Sequence, residues 1–304
     1  MSDIENTTEA LNTIADKGRR RRRFLGTAGA AALGALGANR LALADPWPTE
    51  MIPELLTDVN ILNFALNLEY LEAEYYLQAA FGRNLNDSDI KGQGSVGAVT
   101  GGRAVNFKSK TIREYAEEVA NDEEAHVKLL RSALGGAAVS RPTIDIENSF
   151  TTAARAAGLI GANEKFDPYK NDNTFLLGAF VFEDVGVTAY KGAARFIENK
   201  DFLEAAAGLL AVEAYHASLI RTVLFARGLG DIVQKISDLR DGADGPDDLD
   251  QGIVDDKGKA NIVPTDNMGL AFSRSPQQVL NIVYLGGGAA QFGFFPNLLN
   301  GSIR

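Results

Sequence analysis

The chain contains no cysteine among its 304 residues. Disulfides, thiolate metal ligands and iron–sulfur clusters are therefore excluded, and any metal must be bound by oxygen and imidazole nitrogen. Histidine is scarce, with two residues, and runs of basic residues are absent after residue 44. With a formal net charge of −10, the chain is not expected to bind nucleic acid or anionic membranes. Hydrophobic residues still make up 45% of the chain, which is enough for a sizeable core.

The first 44 residues have the features of an export signal. Five consecutive arginines, Arg19 to Arg23, precede Phe24 and Leu25, and a weakly apolar Gly/Ala stretch follows. The small-x-small residues 42–44 then offer a cleavage site. The alternative is an uncleaved membrane anchor, but the apolar stretch is shorter than the ~20 residues that a membrane span needs. The string Arg-Arg-x-Phe-Leu at residues 21–25 resembles a twin-arginine motif. Residues 1–44 are thus predicted to be a twin-arginine-type signal peptide, which implies the twin-arginine export machinery as a partner and a periplasmic or secreted protein without a membrane anchor.

Both histidines belong to the same short motif, Glu-x-x-His. The pairs are Glu123 with His126 and Glu213 with His216. Residues i and i+3 of a helix project from one face, one turn apart, so each pair can bind one metal ion. Four-helix bundles that hold two metals take such a pair from each of two helices and a lone glutamate from each of the other two. The alternative interpretation is two unrelated histidines beside solvated acids.

Four segments have the periodicity of amphipathic helices, at about residues 57–81, 108–134, 173–199 and 201–228. In every segment the candidate ligands fall on the apolar stripe and not on the polar face. Glutamate seldom lies on a buried stripe without a partner, so this placement favours a metal site. The lone glutamates come from the first and third segments, which completes the predicted ligand set: Glu69, Glu123, His126, Glu183, Glu213 and His216.

Glu72 is a seventh candidate metal ligand. It faces the same way as Glu69, whereas the matching position of the third segment is Gly186. Three hypotheses remain open for it: an additional ligand, a proton relay, or a residue at the edge of the stripe. The neighbouring Glu74 points elsewhere and is expected to be solvated.

The two halves of the helical region match each other. In each half a tyrosine follows the lone glutamate by seven residues, and an arginine follows the histidine by five. Two equivalent helical hairpins predict a site with pseudo-two-fold symmetry. The tyrosines are expected to pack in the core, with a redox relay as the alternative. The matched pairs are Tyr76 with Tyr190 and Arg131 with Arg221.

The connections predict the domain organisation. Residues 135–172 are long and loop-rich, with a short helix expected near 147–158, and fit a crossover along the bundle. After residue 230 an acidic, Gly/Asp-rich stretch is predicted to be mostly irregular as far as about residue 260. The segment from Pro276 to Leu285 is predicted to form a short fifth helix. We therefore expect a bundle over residues 45–230 and a C-terminal extension over residues 231–304 that packs on it.

The chain resembles the ferritin-like di-metal carboxylate superfamily, and more closely the desiccation-related ferritin-like domain proteins. The resemblance rests on the ligand pattern and on two strings, Leu66 to Tyr76 and Phe294 to Gly301. It implies an all-α fold, a ferritin-like four-helix bundle with a long crossover connection. Two histidines make the chain more similar to rubrerythrin, bacterioferritin and manganese catalase than to storage ferritins. The additional tail argues against a ferritin cage, although a homo-oligomer is compatible with the pattern.

The resemblance also implies two divalent metal ions, iron or manganese, with zinc also compatible. Glu69 and Glu183 would be terminal ligands, Glu123 and Glu213 would bridge, and each histidine would bind one ion. Four buried carboxylates carry four negative charges that two divalent cations balance.

Three functions fit such a site. The first is a stress-related redox enzyme that activates dioxygen or consumes peroxide. The second is a non-enzymatic protective protein whose metals stabilise the bundle or are vestigial. The third, metal storage, is disfavoured because no shell is expected.

Overall fold

The computed structural model describes residues 55–286 and 293–304, and the predicted signal peptide at residues 1–44 lies outside the described residues. Helices dominate the described part of the chain, which confirms the predicted fold class. Four of these helices are long and form the bundle, and three shorter ones lie in the crossover and the C-terminal extension. The helices are α1 (Asp58–Phe81), α2 (Lys110–Leu134), α3 (Asn148–Ala156), α4 (Asp172–Ala194), α5 (Lys200–Ala226), α6 (Gly230–Asp244) and α7 (Pro276–Val283).

The four long helices begin at side chains that satisfy their free backbone N–H groups. Thr57, Ser109, Asn171 and Asn199 each accept hydrogen bonds from backbone amides in the first turn. Such caps typically stabilise a helix by about 1 kcal/mol. At its other end α1 stops at Gly82, whose φ of +65° is left-handed and suits glycine. Local sequence signals thus fix where the bundle helices start.

Two helical hairpins build the bundle, as the sequence predicts. α1 packs along α2 and α4 packs along α5, while α1 against α4 and α2 against α5 join the two hairpins. The crossover from α2 to α4 contains α3, close to the predicted short helix. It also contributes β2 (Ile144–Asp145), which pairs in parallel with β1 (Val99–Thr100) in the α1–α2 connection. This two-residue ladder was not expected from the sequence.

Within the described residues, α5 is the one helix long and apolar enough to span a membrane by length and composition. The core helix of a bundle meets the same criterion. Glu213 and His216 on α5 are buried inside the bundle, which fits a core helix.

Two sequence predictions about helices are wrong. The third segment was expected to reach residue 199, but α4 ends at Ala194, and the extended Asn199 belongs to the start of α5, which it caps. The stretch from residue 230 to about residue 260 was expected to be mostly irregular, but its first half forms α6. The buried face of α6 includes polar residues such as Arg240 and Asp244 beside Val233 and Ile236. A helix whose buried stripe is partly ionic lacks the apolar periodicity that predicts a helix.

Buried ion pairs attach the C-terminal extension to the bundle. Three arginines and three aspartates, all at most 8% exposed, pair at 2.6–3.0 Å. Arg221 and Asp184 come from the bundle helices, and the other four side chains come from the extension. Each of the six charges thus has at least one oppositely charged partner, without which its burial would be costly. The six residues are Arg221, Arg240, Arg274, Asp184, Asp244 and Asp250.

The chain terminus also packs against the bundle. The Asn67 side chain donates to the Asn300 carbonyl at 2.8 Å and accepts from the Asn300 amide at 3.0 Å. Phe294 packs edge-on against Phe150 and Phe182. The two strings on which the resemblance rests therefore contact each other, which explains why they occur together.

Glu74 differs from its prediction. Its side chain is fully buried in α1 and forms an ion pair with Arg141 of the crossover. Arg141 also donates to the Gly97 carbonyl at 2.7 Å. The expectation of a solvated residue was wrong, because the crossover passes over this face of α1 and supplies a buried cation there.

Candidate metal centre

The six paired ligand candidates meet in the middle of the bundle. One glutamate comes from α1, one from α4, and a Glu-x-x-His pair comes from each of α2 and α5. None of the six residues is more than 6% exposed, although all are polar. They form two groups. Within each group the potential metal-binding atoms all lie within 4.8 Å of one another.

The first group surrounds one nitrogen of His126. Its Nδ1 lies 3.2 Å from Glu69 Oε2, 3.3 Å from Glu123 Oε2 and 3.5 Å from Glu213 Oε1. The group therefore draws one residue from α1, two from α2 and one from α5. Three carboxylates and one imidazole nitrogen converge on one small volume.

The second group surrounds the other histidine and shares a ligand with the first. His216 Nδ1 lies 3.0 Å from Glu123 Oε1 and 3.7 Å from Glu183 Oε2. The two histidine rings face each other with centroids 6.1 Å apart. Because Glu123 directs one oxygen to each group, its carboxylate has the placement of a bridging ligand. Glu213, the other predicted bridge, joins only the first group.

The donor atoms of both groups lack hydrogen bonds within the described part of the chain. This holds for both oxygens of Glu123 and Glu213, for Oε2 of Glu69 and Glu183, and for Nδ1 of both histidines. Buried polar atoms nearly always have a partner, and an unpaired one costs about 1–3 kcal/mol. The unpaired atoms are the ones that face the two shared volumes. Cations in those volumes would satisfy all of them, so the residues fit a pair of metal ions.

Two tyrosines hold the lone glutamates across the bundle. The Tyr76 hydroxyl of α1 donates to Glu183 Oε1 of α4, and the Tyr190 hydroxyl of α4 donates to Glu69 Oε1 of α1. Each bond occupies one carboxylate oxygen and leaves Oε2 for the centre. The expected core packing is present, since both rings are buried. The tyrosines in addition orient the ligands, as partners outside the coordination sphere do in metal sites.

Asp122 lies within hydrogen-bond distance of one of the two histidines, His216. Its Oδ2 lies 3.2 Å from His216 Nε2. A hydrogen bond from Nε2–H to this carboxylate leaves Nδ1 unprotonated, the form that binds a metal. The residue before the second motif is Val212, so within the described residues His126 has no equivalent carboxylate partner at Nε2. Sequence reasoning missed Asp122, although it directly precedes Glu123.

Glu72 lies beside the centre but belongs to neither donor group. It is 5% exposed, and within the described residues its carboxyl group makes no hydrogen bond or ion pair. A β-carbon at Gly186 would lie 2.3 Å from Glu213 Oε2 and 3.6 Å from Glu72 Oε1. The glycine therefore leaves the space that Glu213 occupies. A ligand role for Glu72 stays a prediction.

Protons replace cations in the metal-free centre. Burial raises the pKa of Glu69 to about 8, and the nearby Glu123 carboxylate adds to the shift. Burial opposes protonation of His216, but its contacts with Glu123 and Glu183 outweigh this and raise its pKa to about 11. The two histidines in turn lower the pKa of Glu123 although burial acts against them. The metal-free site thus stabilises imidazolium cations where metal ions would neutralise the carboxylates.

Comparisons with known proteins agree with this geometry. The profile of the ferritin-like domain family matches residues 57–226, which contain all four bundle helices. The desiccation-related protein PCC13-62 of Craterostigma plantagineum is 32% identical over 74% of this chain and 76% of its own length. The ferritin-like catalase Nec2 of Nesocodon mauritianus is 26% identical over 81% of this chain and 84% of its own length. No solved structure matches the chain. The chain belongs to the ferritin-like domain family, with desiccation-related proteins among its relatives.

Proposed function

We propose that the chain binds two divalent ions, iron or manganese, and consumes peroxide at the loaded centre. The observation that supports this most directly is the set of buried, unpaired donor atoms that converge on two volumes and share Glu123. The oxygen and imidazole donors suit both metals, and zinc as a non-redox substitute. A relative named as a ferritin-like catalase supports peroxide as the substrate.

The residues around the centre have separate roles in this proposal. The bound pair supplies the electron-transfer chemistry. Tyr76 and Tyr190 hold the terminal carboxylates in place, and Asp122 fixes the ring of His216. The bundle helices exclude bulk water from all the ligands, so the electrostatic interactions within the site are strong.

Neighbouring glutamates on α2 provide a matched test. Glu123 lies in both donor groups, whereas Glu124 forms ion pairs with Arg83 and Lys128 at the bundle surface. Glu123→Gln should lower the metal content from about two ions per chain and abolish peroxide consumption. Glu124→Gln should retain both. Metal analysis of iron- or manganese-loaded protein and oxygen release from hydrogen peroxide measure the two properties. Two ions bound to Glu123→Gln, or none bound to the wild type, would contradict the proposal.

A protective role without turnover is the second candidate, supported by the desiccation-related relative. Four buried carboxylates without cations destabilise the fold, so bound metal would contribute to its folding free energy. Loaded protein that is inert towards peroxide but unfolds at a higher temperature than metal-free protein would favour this role.

Export through the twin-arginine pathway is part of the proposal. It rests on the string from Arg21 to Leu25 and the small residues 42–44. Replacement of Arg21 and Arg22 with lysine should leave full-length protein in the cytoplasm, as cell fractionation would measure. Export that continues at the same level would refute this part.

A further inference from the structure

A small cavity lies directly beside the metal centre. Its volume is about 20 Å³, which is enough for one water molecule. α1 and α4 form its walls, and Ile282, Val283 and Phe294 of the C-terminal extension cover it. The cavity therefore lies between the bundle and the described part of the extension.

Glu72 is the one polar side chain among the described residues that line this cavity. The residue as a whole is 5% exposed, and its carboxyl group makes no hydrogen bond or ion pair with the described part of the chain. The remaining lining is leucine, isoleucine, valine, phenylalanine and glycine. An unpaired buried carboxyl group is costly unless a molecule in the cavity hydrogen-bonds to it.

The cavity reaches the centre through Gly186. This glycine lines the cavity, and the position of its missing β-carbon lies close to both Glu213 Oε2 and Glu72 Oε1, at 2.3 and 3.6 Å. A molecule bound to Glu72 is thus separated from a metal ligand by a residue without a side chain. On its outer side the cavity shares Val181 and Ile282 with a larger, mostly apolar cavity of about 450 Å³. The two cavities are therefore neighbours, with these two side chains between them.

We propose that this cavity binds one small hydrogen-bonding molecule on Glu72: water in the resting protein and hydrogen peroxide during turnover. The peroxide part rests on the proposed function. The C-terminal extension then limits the size of the substrate, because Ile282, Val283 and Phe294 line the space beside Glu72. A volume of about 20 Å³ favours molecules close to water in size, such as hydrogen peroxide, over bulky alkyl hydroperoxides.

Two valines of α7 allow a matched test. Val283 lines the cavity, whereas Val279 lies one turn earlier, is fully buried and lines a separate small cavity. Val283→Leu adds a methylene group above Glu72, and Val283→Ala removes two methyl groups there. The same substitutions at Val279 control for changes in stability and folding. None of these variants alters a metal ligand.

Crystal structures of the loaded proteins provide a readout that does not depend on activity. An ordered water bonded to Glu72 is expected in the wild type and in both Val279 variants, and it should be absent from Val283→Leu. A cavity that is empty in the wild type would overturn the inference.

Turnover provides the second readout. Val283→Leu should slow hydrogen peroxide consumption at least tenfold, and Val283→Ala should gain activity on tert-butyl hydroperoxide, while the Val279 variants match the wild type. Activity on hydrogen peroxide that is insensitive to both Val283 substitutions would overturn the inference and leave the proposed function intact. Wild-type protein that holds the water on Glu72 but consumes no peroxide would refute the proposed function and keep the binding site for water.

Discussion

Removal of the Arg221 guanidinium should destabilise the protein strongly without touching a metal ligand. The side chain is fully buried, and each of its five N–H groups donates to a different acceptor. One acceptor is the Asp184 carboxylate at 2.7 Å. The other four are backbone carbonyls of the C-terminal extension, at Gln251, Gly252, Asn261 and Ile262. Arg221→Met preserves much of the side-chain volume and leaves all five acceptors without this donor.

The size of the effect follows from the surroundings of Asp184. Loss of one partner of a buried ion pair typically costs about 3–5 kcal/mol. Asp184 retains Arg240 at 3.0 Å, which places the cost at the lower end, about 3 kcal/mol. The free energy of unfolding of a native protein is typically about 5–15 kcal/mol. This single substitution should therefore remove a large part of the stability.

Arg131 is the matched control, since it occupies the equivalent position of the first hairpin. It is half-buried and donates to the Tyr70 hydroxyl at 2.6 Å and to the Lys91 carbonyl at 2.5 Å, and none of the described carboxylates pairs with it. Arg131→Met should therefore lower the free energy of unfolding by about 1 kcal/mol, the typical contribution of an ordinary hydrogen bond.

Urea unfolding of metal-free protein, followed by circular dichroism, measures both changes as shifts of the midpoint at constant slope. A free energy of unfolding for Arg221→Met within about 1 kcal/mol of that for Arg131→Met would refute the reasoning.

Three further predictions concern the centre. Gly186→Ala should reduce metal content, because its methyl group would lie 2.3 Å from Glu213 Oε2; unchanged stoichiometry would contradict this. Glu72→Gln should keep two ions per chain, since Glu72 lies outside both donor groups, and a lost ion would instead make it a ligand. Metal-free protein should become less stable as pH rises from about 5 to 8: the pKa of Glu69 is raised to about 8 and that of His216 to about 11, so the folded state holds more protons than the unfolded state in this range. Zinc-loaded protein should lack this pH dependence, which thermal unfolding at several pH values would show.

The centre was predictable because its signal is local. Each Glu-x-x-His motif lies within one helical turn, and the lone glutamates recur at matched positions of two hairpins. Periodicity places all of them on buried faces, and helix geometry then brings them together. The structure needs no ligand from a loop, so no long-range contact had to be known in advance.

The features that sequence reasoning missed depend on contacts between distant segments. Glu74 is buried because Arg141, far along the chain, passes over it. α6 buries Arg240 and Asp244 against partners from other segments, so its pattern is not apolar. Asp122 acts on a histidine of another helix. In each case a charged residue is interior only because its partner is brought to it by the fold, and composition alone assigns such residues to the surface.

The two halves of the bundle match in their ligands but differ in their surroundings, and this difference bears on function. The first donor group has four residues and the second has three, while Asp122 supports only the second. Glu72 and Gly186 occupy equivalent positions of the two hairpins, yet one supplies a carboxyl group and the other leaves room for the Glu213 carboxylate. The proposed binding of a small molecule on Glu72 makes use of this asymmetry. In the described part of the chain, only the first hairpin presents a carboxyl group to the cavity, and only the second has no side chain between that cavity and Glu213.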